Sequence, residues 1–156
     1  MQSRMTHPAM LVPATMESLR AYSLSARKLG DVPPATFAMV DLRASQINGC
    51  SVCVQLHATE LKNLGESDER IYGVSAWQDA PFYSDAERAA LALTEAVTRL
   101  ADKSDPVPDH LWAEASRHYD EEELGALLIA ISSVNVWNRL NVATRQVAGA
   151  WKPGSD

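Results

Sequence analysis

The chain has 156 residues, 46% of them hydrophobic, which is enough for one ordinary domain with a core of its own. Its 20 acidic and 14 basic side chains give a formal net charge of -6, and no basic run is long enough to track phosphates, so nucleic acid is excluded as an expected partner. No apolar run reaches membrane length and the N-terminus lacks the apolar centre of a signal peptide, so the expectation is one cytoplasmic domain over residues 1–156 with no membrane partner.

Residues 1–13 contain two prolines, a histidine and three methionines without a period, which predicts an irregular arm able to pack on a neighbouring subunit. From Ala14 to Leu29, Met16, Leu19, Leu24 and Ala26 can line a helix that Gly30 stops in the left-handed conformation. A second helix from Pro34 to Asn48 places Phe37, Val40, Ala44 and Ile47 on one face, and Asn48-Gly49 breaks it. The third, Cys50 to Leu64, carries Val54, Leu61 and Leu64 and ends before Gly65.

Ser67 can cap a short helix with Arg70 at its N3 position, and Ile71, Val74 and Trp77 continue its apolar face up to Pro81. Ser84-Asp85-Ala86-Glu87 reads as a capping box ahead of a strongly amphipathic helix bearing Ala90, Leu91, Leu93, Ala96, Val97 and Leu100. Asp105-Pro106-Val107-Pro108 is a turn, Asp109 to His118 a short helix, and Asp120 the cap of a long helix with an acidic first turn. Because Leu124, Leu127, Leu128, Ile129, Ile131, Val134, Val136 and Trp137 leave it little polar surface, this last helix is expected at the centre of the domain or in an oligomer interface. The four tryptophans read as core and interface residues rather than a cofactor box. With no sustained period-2 alternation and no internal repeat, the predicted fold class is all-α.

The chemistry concentrates at Cys50-Ser51-Val52-Cys53, the only two cysteines of the chain, with His57 four residues beyond the second. A helix starting near Cys50 puts both sulfurs and the imidazole on one face. The loop between the cysteines is too short for their disulfide to remove much chain entropy, so in a reducing compartment the pair reads as redox or metal chemistry. Only the thiolate attacks a peroxide or a disulfide, and a free cysteine near pKa ~8.5 is mostly protonated. The helix N-terminus stabilises an anion by roughly 0.3–1 kcal/mol, less than one pKa unit, and His57 can exchange a proton with either sulfur directly or through water. The dipole favours Cys50 and the histidine favours Cys53. Since the first turn still includes Cys53, the histidine can decide for it, leaving Cys50 to resolve a sulfenic acid into a disulfide. Two other readings are weighed against this one: a pair of inert buried thiols, and a structural zinc site, which His7, His110 and His118 are poorly placed to complete. His118, near a helix end, reads as a C-terminal cation.

The run from Arg43 through Gln46-Ile47-Asn48-Gly49-Cys50-Ser51-Val52-Cys53 to His57 closely resembles the signature of the AhpD-like alkylhydroperoxidases of the carboxymuconolactone decarboxylase superfamily. Gly65-Glu66, Trp77-Gln78-Asp79-Ala80-Pro81, Glu87 to Ala92 and Val134 to Asn141 look like the same family in the same order, so the resemblance spans roughly residues 34 to 145. It implies an all-helical fold assembling as a homotrimer or homohexamer, and a peroxide-reducing or thiol-disulfide oxidoreductase acting without haem, metal or other cofactor. By the same resemblance Cys53 is peroxidatic, Cys50 resolving and His57 part of a proton relay. The implied partners are a hydroperoxide or disulfide substrate and a dithiol donor such as a lipoyl or thioredoxin-like protein. The alternatives are a lactone enzyme of the decarboxylase type and a non-catalytic redox-sensing oligomer. The family relay usually includes a glutamate twelve residues before the first cysteine, and that position is Ala38. Asp41 and Glu60 are candidate substitutes but read first as solvated surface acids, and Ala38→Glu is expected to raise the rate.

Overall fold

In a computed structural model, which describes residues 2–101 and 103–150, every regular element among the described residues is helical. In chain order these are α1 (Pro8–Leu11), α2 (Thr15–Ser25) running into a 3-10 turn at Ala26–Lys28, α3 (Pro34–Asn48), α4 (Ser51–Asn63), α5 (Asp68–Gly73) with a 3-10 turn at Val74–Ala76, α6 (Asp85–Thr98), α7 (Asp109–Ala115) and α8 (Glu121–Thr144). No helix among the described residues is long and apolar enough to cross a membrane.

The expected caps position the ends. Ser84 and Glu87 form a reciprocal capping box at α6, Asp120 and Glu123 form another at α8, and the Ser67 hydroxyl accepts from the Arg70 amide at α5. Each satisfies orphan N–H groups that a helix start otherwise leaves bare. Gly49 takes the positive φ of +68° that ends α3 in the left-handed conformation, whereas the turn at Ala26–Lys28 ends at Leu29 in extended backbone and Gly30, also at φ +68°, lies one residue beyond it.

The element at the centre is α3, with Thr36 to Leu42, Ala44 and Ser45 all buried. One side of it, through Phe37 and Val40, joins Ala89, Ala90 and Leu93 of α6 and Leu124, Leu127, Ala130 and Ile131 of α8 in one apolar cluster. The other side, through Ala38, Met39 and Leu42, joins Leu61 of α4, Ile71, Val74, Trp77, Tyr83 and Leu91 in a second. Truncating a side chain this enclosed, such as Leu42, costs about 2–5 kcal/mol in such cores. The central position therefore belongs to α3 rather than to the more uniformly apolar α8. Although α8 packs on α2, α3, α4 and α6, it keeps an outer stripe of Ser132, Val136, Arg139 and Val142 exposed.

Other boundaries differ from the sequence pattern. The arm is not wholly irregular, because the His7 ring caps the amide of Ala9 and Pro8 opens a single helical turn. The segment Ala14 to Leu29 breaks at Ala26 into the 3-10 turn, and Leu24, placed on its apolar face by spacing, is exposed. Helix α7 stops at Ala115, three residues before His118, and Leu64 and Leu100 lie exposed just beyond their helices. Of the tryptophans, Trp77 is buried and donates to Glu95 at 2.8 Å, Trp137 donates to the Ser23 hydroxyl at 2.9 Å, Trp112 is largely exposed, and Trp151 lies outside the described residues.

Candidate functional site

The site is built on the junction between α3 and α4. At Gly49 the chain closes α3 with two crossed bonds, from the Cys50 amide to Ser45 O at 3.0 Å and from the Gly49 amide to Gln46 O at 3.3 Å. Those bonds leave Cys50 at the N-cap of α4, where its sulfur accepts from the Cys53 amide at 3.4 Å. Cys50 thus takes the place of the usual oxygen-bearing cap. The two cysteines are joined as a disulfide with their Cα atoms 5.4 Å apart, and both are almost wholly buried. The spacing argument for a shared face therefore holds for the two sulfurs.

His57, one turn beyond Cys53 on α4, is also buried, and its Nδ1 is 3.2 Å from Glu60 Oε2 and 3.8 Å from Asp41 Oδ2. Neither acid is a solvated surface group. Asp41 is only 5% exposed because it faces inward from the enclosed α3, and Glu60 is turned back over His57 by the helical i+3 spacing. Arg27, from the 3-10 turn after α2, clamps both, with Nη2 2.6 Å from Asp41 Oδ2 and Nη1 2.7 Å from Glu60 Oε1. Its guanidinium lies over the Phe37 ring at 5.8 Å, which fixes the plane of the fork.

The two carboxyls are driven apart. Burial pushes Asp41 above its ordinary value, only partly offset by His57 and Arg27, and its Oδ1 is buried without a hydrogen-bond partner. Burial also acts to raise Glu60, but the hydrogen bond with His57 and the charge of Arg27 outweigh it and leave that carboxyl below its ordinary value. Two carboxyls whose affinities for a proton are shifted in opposite directions beside one imidazole nitrogen make an arrangement suited to relaying a proton. Asp41, His57 and Glu60 also bring ligand-type atoms within 4.8 Å of one another, a spacing open to a metal ion, but the cation paired with both carboxylates is the Arg27 guanidinium. His7 stacks on Trp137 and His118 pairs with Glu114, so neither joins this group.

A polar stripe on α8 borders the same junction. Asn138 donates to the Ser45 hydroxyl at 3.0 Å and accepts from Asn48 at 2.8 Å, Asn48 also donates to Asn135 at 2.9 Å, and Asn141 donates to the Cys53 sulfur at 3.3 Å. Arg27 and Asn141 had not been picked out from the sequence. Arg27 carries no local signal, since its partners lie 14 and 33 residues away. The stripe does carry one: three asparagines at 135, 138 and 141 on an otherwise apolar helix need buried partners. Ala38 is fully buried in the second apolar cluster, with its helix neighbours Met39 and Leu42. A glutamate placed there enters an enclosed core position, so Ala38→Glu is expected to lose stability whatever its effect on the rate.

The model of the carboxymuconolactone decarboxylase family matches residues 13–96. The chain is 38% identical over 116 residues to the uncharacterized protein YdfG of Bacillus subtilis, covering 74% of this chain and 78% of that one. It is 30% identical over 117 residues to the uncharacterized protein YnjA of Escherichia coli, covering 75% of this chain and 63% of the other. A solved structure of a protein of unknown function from Agrobacterium tumefaciens superposes with a TM-score of 0.87 at 29% identity over 96% of this chain and all 100% of its own. The debrominase Bmp8 superposes with a TM-score of 0.77 at 21% identity, over 88% of this chain and 73% of its own, a likeness of fold alone.

Proposed function

The chain belongs to the carboxymuconolactone decarboxylase family, and from that premise we propose that it is a dithiol oxidoreductase that reduces hydroperoxides. The observation that carries the reading is the Cys50–Cys53 disulfide at the start of α4 with the His57, Asp41, Glu60 and Arg27 cluster one turn away. A structural bridge has no use for a buried imidazole held between two carboxyls of opposite tendency. A reaction that makes and consumes thiolates does.

In this scheme the reduced Cys53 thiolate attacks one oxygen of the hydroperoxide, the O–O bond breaks, and the alkoxide leaves as alcohol with a proton delivered through His57. Cys53 is then a sulfenic acid. The Cys50 thiol attacks its sulfur, water departs, and the disulfide forms. A dithiol donor of lipoyl or thioredoxin-like type returns two electrons and two protons, attacking one sulfur while the other leaves as thiolate. Asp41 and Glu60, whose affinities for a proton are moved in opposite directions, both lie beside His57 Nδ1 and serve as its proton partners over the cycle. Assembly of copies into a homotrimer or homohexamer belongs to the same proposal, supported by the exposed Met10, Leu11 and Val12 of the arm and Val136 and Val142 of α8.

The test is steady-state turnover of the reduced full chain with cumene hydroperoxide and dihydrolipoamide. The expected result is repeated consumption of both in a one-to-one ratio. Thiols that survive hydroperoxide while a muconolactone is consumed would replace this reading with the lactone one, and a single oxidation that no dithiol reverses would replace it with a sensor.

A further inference from the structure

We propose that Asn141 is a catalytic residue of this dithiol centre, its side-chain amide hydrogen-bonding the Cys53 thiolate and so marking Cys53 as the attacking sulfur. The inference deepens the function proposed above and rests on that reading's reversible opening of the disulfide. Each sulfur has one hydrogen-bond donor, and the donors differ in kind. Cys50 Sγ accepts from the Cys53 backbone amide at 3.4 Å, a group belonging to the turn that carries both cysteines. Cys53 Sγ accepts from Asn141 Nδ2 at 3.3 Å, a donor brought from 88 residues away on a different helix.

The position of that amide is set in advance of any chemistry. Asn141 is buried on the α8 stripe whose next member, Asn138, is tied to Ser45 and Asn48 at the closing turn of α3, so α8 is registered against the residues that orient Cys50. Its own turn, the last of α8, is closed by a left-handed cap at Arg145, with the Arg145 amide donating to Val142 O at 3.1 Å and the Gln146 amide to Asn141 O at 3.0 Å. The N-terminal arm adds two more bonds there: the Arg4 amide donates to Thr144 O at 2.8 Å and the Arg4 guanidinium to Ala143 O at 3.0 Å. A fixed donor beside a buried sulfur counts most when that sulfur is charged, because little water competes for the anion. It acts in both halves of the cycle. It favours the thiolate that attacks the peroxide, and it favours Cys53 as the sulfur that leaves with the electron pair when a donor thiolate attacks Cys50. The helix dipole does not supply this preference, since it acts on Cys50 at the N-cap as well as on Cys53 in the first turn and on its own favours Cys50.

The experiment follows the ionisation of each thiol separately. The reduced full chain, Asn141→Ala and Asn141→Asp are alkylated with iodoacetamide across pH 5 to 10, and peptide mass spectrometry assigns the rate to Cys53 or Cys50. The expected result is a Cys53 midpoint about one unit higher in Asn141→Ala, a tenfold smaller thiolate fraction at neutral pH, and a further rise in Asn141→Asp where a carboxylate faces the sulfur. The Cys50 midpoint stays in place. A Cys53 midpoint that ignores position 141, or a shift confined to Cys50, overturns the assignment. Should those variants fail to fold, Asn141→Ser decides: a Cys53 midpoint above that of the unaltered chain with Cys50 in place supports the proposal, and an unmoved Cys53 midpoint refutes it. Hydroperoxide turnover is recorded alongside. A chain with the Asn141-dependent midpoint but no turnover contradicts the function proposed above while supporting this role. A chain that turns over with no such dependence does the reverse.

Discussion

Replacing Arg27 with methionine removes the guanidinium from two carboxyls at once while keeping an apolar stem over Phe37. Exposed ion pairs contribute about 0–1 kcal/mol, and breaking a buried one costs about 3–5 kcal/mol. The Arg27 contact lies between these cases: Asp41 at one end is enclosed, Glu60 at the other is a third exposed, and Arg27 itself is a quarter exposed. The expected loss at neutral pH is therefore about 2–4 kcal/mol in urea unfolding with an unchanged m-value. Most of it arises at Asp41, so in an Asp41→Asn background the same substitution is expected to cost no more than about 1 kcal/mol. The pH dependence has a definite sign. Asp41 has a raised folded value, so the stability it contributes is full below the ordinary carboxylate range and is lost as pH rises through that value; without Arg27 the value rises further. Glu60 loses part of its depression in the variant. Both effects make the deficit of Arg27→Met shrink on acidification. A loss under about 0.5 kcal/mol at neutral pH, additivity with Asp41→Asn, or a deficit that grows in acid would refute the clamp.

Ala38→Glu is expected to destabilise the chain by more than about 2 kcal/mol in the same assay, since the position is fully enclosed and the new carboxyl has no partner there. Glu60→Gln is expected to cost about 1 kcal/mol at neutral pH. Because the folded value of Glu60 is depressed, that cost is present above the ordinary carboxylate value and vanishes as pH falls through the folded one, which unfolding curves between pH 3 and 7 read directly. Gly49→Ala, with open space around the added methyl but a φ of +68°, is expected to lose about 1–2 kcal/mol of stability and to slow disulfide closure, measured by thiol titration over time.

The helices and their caps were largely legible because they depend on local chemistry. Ser67, Ser84, Asp120 and Gly49 each perform the role their type and neighbours announce. The meeting of Cys50 and Cys53 was legible for the same reason, as a consequence of helical spacing. The charged surroundings were not. Asp41 reads as a surface acid on a helix face until α3 is known to be covered on every side, and burial of α3 follows from how α6, α4 and α8 close around it rather than from its own pattern. Arg27 sits in what looks like an ordinary basic helix end, and only the docking of that end over α3 and α4 makes it a clamp. The apolarity of α8 suggested the centre of the domain or an oligomer interface, and Val136 and Val142 remain exposed in the single chain, since hydrophobicity alone does not say which neighbour covers a face.

The most direct measurement treats reduced Cys50→Ser with one equivalent of hydroperoxide in the presence of dimedone and locates the adduct by peptide mass. The account predicts one sulfenic acid per chain, trapped on Cys53, whereas Cys53→Ser treated alike leaves Cys50 unmodified. An adduct on Cys50, or none on either variant, would contradict it.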